Sequence, residues 1–547
     1  MDALNHNQHL DPKFFALVPV IVLVLAYIVP LLSDRHGLRK YPGPFLAKVT
    51  NMWFARMVMN GDGISSVHKL HEKHGRFVRL SPKQVSIADP EALHAIYSYS
   101  AGTLKGDIYD GFVLPGRKPS IFATRQRDEH SRKRKYLSHV MSMKSIQELE
   151  HNILHHQQTL VQQWDKLCLD GAQDKDGSKG SCEWKAKEGR VWFNCMPWFN
   201  FEAFDIIGDL AFGASFGMLE SGKDAAPVAL SEDEAVNSYY SDHTVKIECT
   251  TVPAVKTINE TVDFNTFLGC FPPQWHWVFL KLPMFQKSLH TRSLLARMAI
   301  TALAKRLASG EARADFLTKL IAARDDNGQP LPEHELSAEA LSLLVAGSDT
   351  TSNSAGAITY HLARNQVAQA KLQAELDKAL GLPGAGSNEA EVPTYDQLKY
   401  LTYLQDVINE GLRVHSTAGI GLPRVIPEGG LTVAGESFVE GTEVSCPIYT
   451  MHHLKSVWGD DADVFNPDRW SGENKAELMQ SFAPFSVGPR ACIGRHLALI
   501  ELTIGIATIF HRYHIVLEDP NGELPVHEGF LRKPECVHIG MKRRGAR

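Results

Sequence analysis

Ten residues near the C-terminal end, Phe485-Ser486-Val487-Gly488-Pro489-Arg490-Ala491-Cys492-Ile493-Gly494, constrain what this chain can fold into more than any other stretch. Gly488 and Pro489 are turn residues. Arg490 brings a fixed positive charge two residues before a sulfur. Gly494 has no side chain, so a flat ligand can lie against the backbone there. The apolar run from His496 to Phe510 reads as a buried helix. Its N-terminus aims backbone N–H groups and a positive dipole end at a thiolate on Cys492. A cysteinate held in this way suits an axial ligand to haem iron, where thiolate electron push favours O–O cleavage.

The bulk properties leave room for that reading and exclude others. With 547 residues, 44% hydrophobic and 22% charged, the composition is globular. A net charge of −5 carries no nucleic-acid footprint. The eight cysteines are scattered, with no CxxC pair. That argues against a disulfide framework and a zinc cluster, and fits a reducing compartment.

The cysteine loop resembles the haem-binding loop of cytochromes P-450, with Phe485, Gly488, Arg490, Cys492 and Gly494 at its fixed positions. The resemblance implies a mainly α fold with small β-sheets, haem b as cofactor, and Cys492 as the iron ligand. Further motifs follow in the family's order and cover the chain after its N-terminal segment.

Phe14 to Leu32 is an uncharged apolar run long enough to span a bilayer as a helix. A cleaved signal peptide would be shorter, with basic residues ahead of it. Here Arg35, Arg39 and Lys40 follow it, which predicts a single-pass anchor with the rest of the chain in the cytosol. Residues 1–40 are therefore expected to be tip, anchor and basic flank, and 41–547 the haem domain. Tyr41-Pro42-Gly43-Pro44 is a stiff turn, similar to the proline-rich hinge of microsomal members. Gly75 to Asp89 alternates like a hairpin.

Asp128 to Ser142 reads as a helix with a basic face, with His130 and Arg134 on one side. By resemblance both turn toward a haem propionate, His130 standing where the family has an aromatic. Arg132, Lys133 and Lys135 read as a solvated face able to meet an acidic electron donor. Residues 170–189 are polar and Gly-rich, hence an expected surface loop. Phe199 to Leu219 reads as a buried helix with a Gly-rich end, and Gly381 to Thr394 as a second soft loop.

Ser337 to about Asn365 is a helical pattern of nearly thirty residues, roughly 45 Å. Midway lies Ala346-Gly347-Ser348-Asp349-Thr350-Thr351, where small residues thin the helix and the Thr350 hydroxyl can take the Ala346 carbonyl. The segment resembles the family's oxygen-activating stretch, which gives Asp349 and Thr350 the handling of protons. In Tyr403 to His415, Glu410 and Arg413 lie one turn apart. The family joins this pair to a later Arg in a buried triad, here Arg469. Ser416 to Val425 is expected to be extended and to line the pocket, and Arg424 matches another propionate ligand.

Within the superfamily the chain is most similar to fungal benzoate para-hydroxylases. The stretches at 104–112, 130–146, 204–219, 346–353, 415–424 and 528–534 carry that likeness. The implied reaction is O2- and NADPH-dependent hydroxylation of an aromatic acid para to its carboxylate. Electrons would come from NADPH–cytochrome P-450 reductase, with cytochrome b5 as a second donor, at the endoplasmic reticulum membrane. Tyr109, Ser416 and Thr417 are the hydroxyls expected to hold the substrate carboxylate. The competing readings are hydroxylation of another small aromatic or phenolic compound, a haem-thiolate isomerase or dehydratase, and a haem-binding membrane protein without turnover. Asp349-Thr350 argues against the isomerase or dehydratase.

Overall fold

The structure is a computed structural model that describes residues 29, 32–114, 116–231, 234–235, 247–308, 313–324, 327–383 and 391–545. Eight of its helices organise the site: α1 (Arg127–Val140), α2 (Glu150–Ala172), α3 (Met196–Phe212), α4 (Ala254–Gly269), α5 (Gln286–Ala308), α6 (Glu333–Arg364), α7 (Thr402–His415) and α8 (Arg495–Arg512). The strands that matter are β1 (Phe77–Arg79), β2 (Gln84–Ile87), β3 (Leu104–Lys105), β4 (Gly177–Lys179), β5 (Cys182–Lys187), β6 (Arg190–Asn194), β7 (Arg424–Val425), β8 (Glu443–Ser445), β9 (Tyr513–Leu517), β10 (Val526–Glu528), β11 (Arg532–Pro534) and β12 (His538–Arg543). They form a five-stranded sheet β1-β2-β8-β7-β3, a second sheet β9-β12-β6-β5-β4, and the hairpin β10–β11.

α6 is the axis of the helical body, packed by α3, α5, α7 and α8. Glycines allow two of these crossings to be close. A Cβ at Gly356 would stand 2.1 Å from the sulfur of Met196 on α3, and one at Gly411 of α7 would stand 2.3 Å from Ile358 on α6. α3 is buried nearly all round, as its apolar sequence demands. It stops at Gly213, in the left-handed region with φ 70°, so the helix expected to reach Leu219 ends nearly two turns earlier.

The expected loop at 170–189 is a finding against the sequence reading: α2 runs to Ala172, and β4 and β5 extend the second sheet. In β5, Cys182, Trp184 and Ala186 alternate with the exposed Glu183, Lys185 and Lys187. This two-residue period pairs Trp184 with Phe193 of β6. The abundance of polar residues hid it. The expected hairpin at 75–89 forms as β1–β2, antiparallel from Phe77↔Ile87. The segment after α7 is strand only at β7, because Ser416 is left-handed (φ 46°). The anchor expected at Phe14–Leu32 lies almost wholly outside the described residues, among which no helix is long and apolar enough to cross a membrane.

Candidate functional site

The cysteine loop is built by backbone that few residues tolerate. Ser486 and Gly488 are both left-handed, at φ 58° and 76°. A Cβ at position 488 would lie 1.9 Å from the Tyr97 carbonyl oxygen, so only glycine fits. The turn Gly488–Arg490 then lifts Cys492, whose N–H donates to Phe485 O at 2.9 Å. Burial pushes the Cys492 thiol up, while the Gly494 N–H, Arg134 and Arg495 favour the thiolate. Cys492 is nonetheless exposed. A Cβ at Gly494 would meet only that sulfur, at 4.0 Å, so the approach to it is bare backbone. The Arg495 guanidinium covers the Phe485 ring at 6.0 Å.

On α6, Ala346 is exposed in mid-helix, and Thr350 Oγ donates to its carbonyl at 2.8 Å. Asp349, a residue back, is buried and faces Lys533 of β11.

Positive charge converges beside the loop from separate elements. β3 and β7 pair Lys105 with Arg424 in register, an arrangement of like charges that opposes folding unless an anion intervenes. His130 and Arg134 come from α1, with Arg134 donating to the Ala491 carbonyl at 2.9 Å. Arg490 donates to the carbonyls of Thr124 and Arg125, both at 3.1 Å. Burial first, and then Arg490, Lys105, Arg134 and Arg424, lower the His130 pKa to about 2. Burial and Arg424 bring Arg490 down to about 10, and burial with Arg490 depresses Lys105 far below the usual lysine range. No carboxylate among the described residues bonds to any of the five. The nearby Asp107 and Asp110 are taken by Arg125. Buried Lys105, His130 and Arg424 with half-buried Arg134 and Arg490 are donors with no acid among them, which suits a ligand with two carboxylates, and the bare approach at Gly494 suits a flat ring over a thiolate. Haem b fits both. Lys105 was missed in the sequence; a lone lysine in the short apolar strand was its only signal.

Behind the loop, Glu410 and Arg413 are fully buried on α7. Arg413 Nε and Nη2 donate to the two oxygens of Glu410 at 2.9 and 2.8 Å. Arg413 also reaches the carbonyls of His452 and Ala462, both at 2.6 Å. Arg469 approaches Glu410 at 3.4 Å but is held chiefly by Asp461 and the Trp458 carbonyl. Trp470 Nε1 supplies a further donor to Glu410 at 3.0 Å. Asp468 points outward to Lys371.

Three expectations need correction. Lys133 is not solvated: it is buried, donates to Pro119 O at 2.5 Å, and stands 3.5 Å from both Glu335 and Glu339 of α6. Tyr109 does not present a free hydroxyl, because it accepts from Arg424 at 2.9 Å and its ring lies under the Lys105 ammonium. Ser416 does not face a pocket: its hydroxyl donates to Arg413 O and meets His452 Nδ1, each at 2.7 Å. Thr417 remains half-buried, with its Oγ 2.8 Å from Ser354 Oγ.

An aromatic cluster also went unread. Phe112, Phe122 and Phe530 meet edge to face, with centroids 5.1, 5.1 and 5.7 Å apart. The flanking segments are tied to α6 at both sides, Ile121 N–H to Glu339 at 2.8 Å and Lys533 to Asp349 at 2.7 Å.

Comparison with known proteins agrees with this geometry. Residues 42–540 match the family model described as Cytochrome P450. The chain is 38% identical over 537 residues, 97% of each chain, to the protein named benzoate 4-monooxygenase bphA of Aspergillus niger. It is 30% identical over 522 residues, 94% of this chain and 96% of the other, to cytochrome P450 monooxygenase ORF11 of Penicillium roqueforti. With pisatin demethylase of Fusarium vanettenii it shares 28% over 514 residues, 92% and 87% of the two chains.

Proposed function

The chain belongs to the cytochrome P450 family, and on that premise we propose that it hydroxylates an aromatic carboxylic acid, converting benzoate to 4-hydroxybenzoate. It is a monooxygenase that carries haem b and receives NADPH electrons through a reductase. One atom of O2 enters the ring C–H para to the carboxylate. The other leaves as water, and NADPH with one proton supplies the electron pair.

Haem, when bound, supplies the oxidising chemistry, and the Cys492 thiolate donates electron density to it. Every other role falls to side chains. Lys105, His130, Arg134, Arg424 and Arg490 hold the propionates. Glu410, Arg413 and Arg469 brace the loop from behind. Asp349 and the Thr350 hydroxyl move protons toward the reacting oxygen. Phe112, Phe122 and Phe530 enclose the substrate ring and exclude water. A carboxylate left bare in such a pocket costs on the order of several kcal/mol. The Thr417 hydroxyl, in contact with Ser354, is the candidate donor that remains for it.

The observation that carries the substrate class is the three-ring cluster, in a chain with full-length likeness to a protein named for benzoate. Purified protein, reductase, NADPH and benzoate test it. The expected product is 4-hydroxybenzoate, preceded by a spectral shift on adding benzoate alone. Neither shift nor product would refute benzoate as the substrate.

The membrane reading belongs to the same proposal. A single-pass anchor at Phe14–Leu32 holds the 41–547 domain on the cytosolic face of the endoplasmic reticulum, beside the reductase and cytochrome b5. Exposed Phe45, Leu46, Trp275, Trp277 and Met284 support it, since lipid would cover them.

A further inference from the structure

The functional roles above leave Lys533 without a task, although it is buried beside Asp349. It projects from β11 and is 5% exposed. Its ammonium stands 2.7 Å from Asp349 Oδ2 on α6 and donates to Asn259 Oδ1 on α4 at 2.6 Å. The approach to Oδ2 lies off the line of a hydrogen bond, so charge rather than geometry holds that side. The other carboxylate oxygen accepts from Asn353 Nδ2 at 3.2 Å. Asp349 is thus held from both sides, and one ammonium joins α4, α6 and the hairpin β10–β11.

A plain strut does not account for this arrangement. The hairpin is already fastened to α4 one helical turn further on, where His527 meets Asp263 at 2.7 Å. It is also fastened to the turn after α7, where Arg532 N–H donates to Thr417 O at 2.8 Å and His415 meets Arg532 O at 2.9 Å. Lys533 alone of these ties reaches α6, and there it meets the acid beside Thr350. Burying a lysine is unfavourable unless its charge is answered.

We propose that Lys533 is a positioning residue for proton transfer: it fixes the direction of the Asp349 carboxylate and links it, through Asn259, to the seating of α4. The proposal rests on the reading of Asp349 and Thr350 as the proton-handling pair. With Lys533 in place, the carboxylate keeps one orientation toward the Thr350 turn. Without it, burial and the single bond from Asn353 leave that orientation open.

The test uses the full-length haem-loaded protein with reductase, NADPH and benzoate. The variants are Lys533→Met, Lys533→Arg, Asp349→Asn and the double variant Lys533→Met/Asp349→Asn, with Lys533→Gln standing in should the methionine variant fail to fold. Lys533→Met is expected to keep the CO-difference spectrum and benzoate affinity. It should lower product formed per NADPH by roughly tenfold, part of what a positioned proton donor contributes. It should also enlarge the solvent deuterium isotope effect, and Lys533→Arg should restore most of the coupling. In the Asp349→Asn background, Lys533→Met should change nothing further, and chemical denaturation of wild type, Lys533→Met, Asp349→Asn and the double variant should be non-additive. Additive effects, or lost benzoate affinity with coupling intact, would overturn the proposal. Wild-type coupling in Asp349→Asn alone would instead overturn the proton-handling reading, and the inference with it.

Discussion

At the scale of single residues, the site depends on side chains whose surroundings admit few substitutes. Cys492 has the Gly494 N–H and two arginines to favour its thiolate against burial. Cys492→Ala should therefore abolish the thiolate-specific absorption of the reduced CO complex. Retention of that spectrum would make another of the eight cysteines the ligand. Tyr109 belongs to the cationic cluster rather than to the substrate, because its hydroxyl accepts from Arg424. Tyr109→Phe removes that acceptor from a buried guanidinium, a change of about 1–3 kcal/mol. It should speed haem loss on dilution into apomyoglobin and leave benzoate affinity unchanged. A shift in benzoate affinity without faster haem loss would return Tyr109 to the pocket.

Among the elements, the packing of α3, α6 and α8 decides the pH response. Glu202 of α3 and Glu501 of α8 border a small cavity with Gln157 of α2 and Thr351 of α6. Glu202 Oε1, Glu501 Oε2 and Gln157 Nε2 have no hydrogen-bond partner there. Burial raises both carboxyls to about 8, and their proximity adds to the rise of Glu202. A carboxyl raised on folding contributes stability below its unfolded pKa and loses it as pH climbs toward the folded value. Glu501→Gln keeps the neutral shape without that proton. It should gain at least about 1 kcal/mol over wild type at pH 8, with the gap closing at pH 5. Thermal unfolding at the two pH values checks this, and an equal gap at both would mean Glu501 is not protonated on folding. His361 and His452 pull the other way: burial lowers both to about 3, so their share of stability is present above about 6.5 and is lost in acid.

For the whole molecule, the proposed membrane attachment makes a demand on the surface and on the N-terminal segment. Exposed apolar side chains lie on Phe45–Val49, Met52–Asn60 and Pro273–Lys281, and Asn51 bonds the Cys270 carbonyl, which brings the N-terminal helices beside the end of α4. Deleting residues 1–40 should release the protein from microsomes into the high-salt or carbonate wash while its CO spectrum persists. Firm retention of the truncated chain would locate the anchor elsewhere. Protease added to sealed microsomes should digest the full-length globule, and protection would reverse the topology.

What the sequence determined alone is local. The left-handed turn at Gly488 is local to the loop around Cys492, although the clash with Tyr97 that also demands glycine there is tertiary, and the thinning of α6 at Ala346-Gly347 follows from residue size. Glu410 and Arg413 pair because they lie one turn apart. The tertiary structure decided everything that depends on which distant segments meet. Lys105 reaches Arg424 only through strand pairing across more than three hundred residues, and Lys533 reaches Asp349 only because a hairpin folds back over α6. Lys133 looked solvated on the face of α1 and is buried because α6 carries Glu335 and Glu339 to it. Charge and burial are properties of neighbours in space, and periodicity along the chain does not contain them.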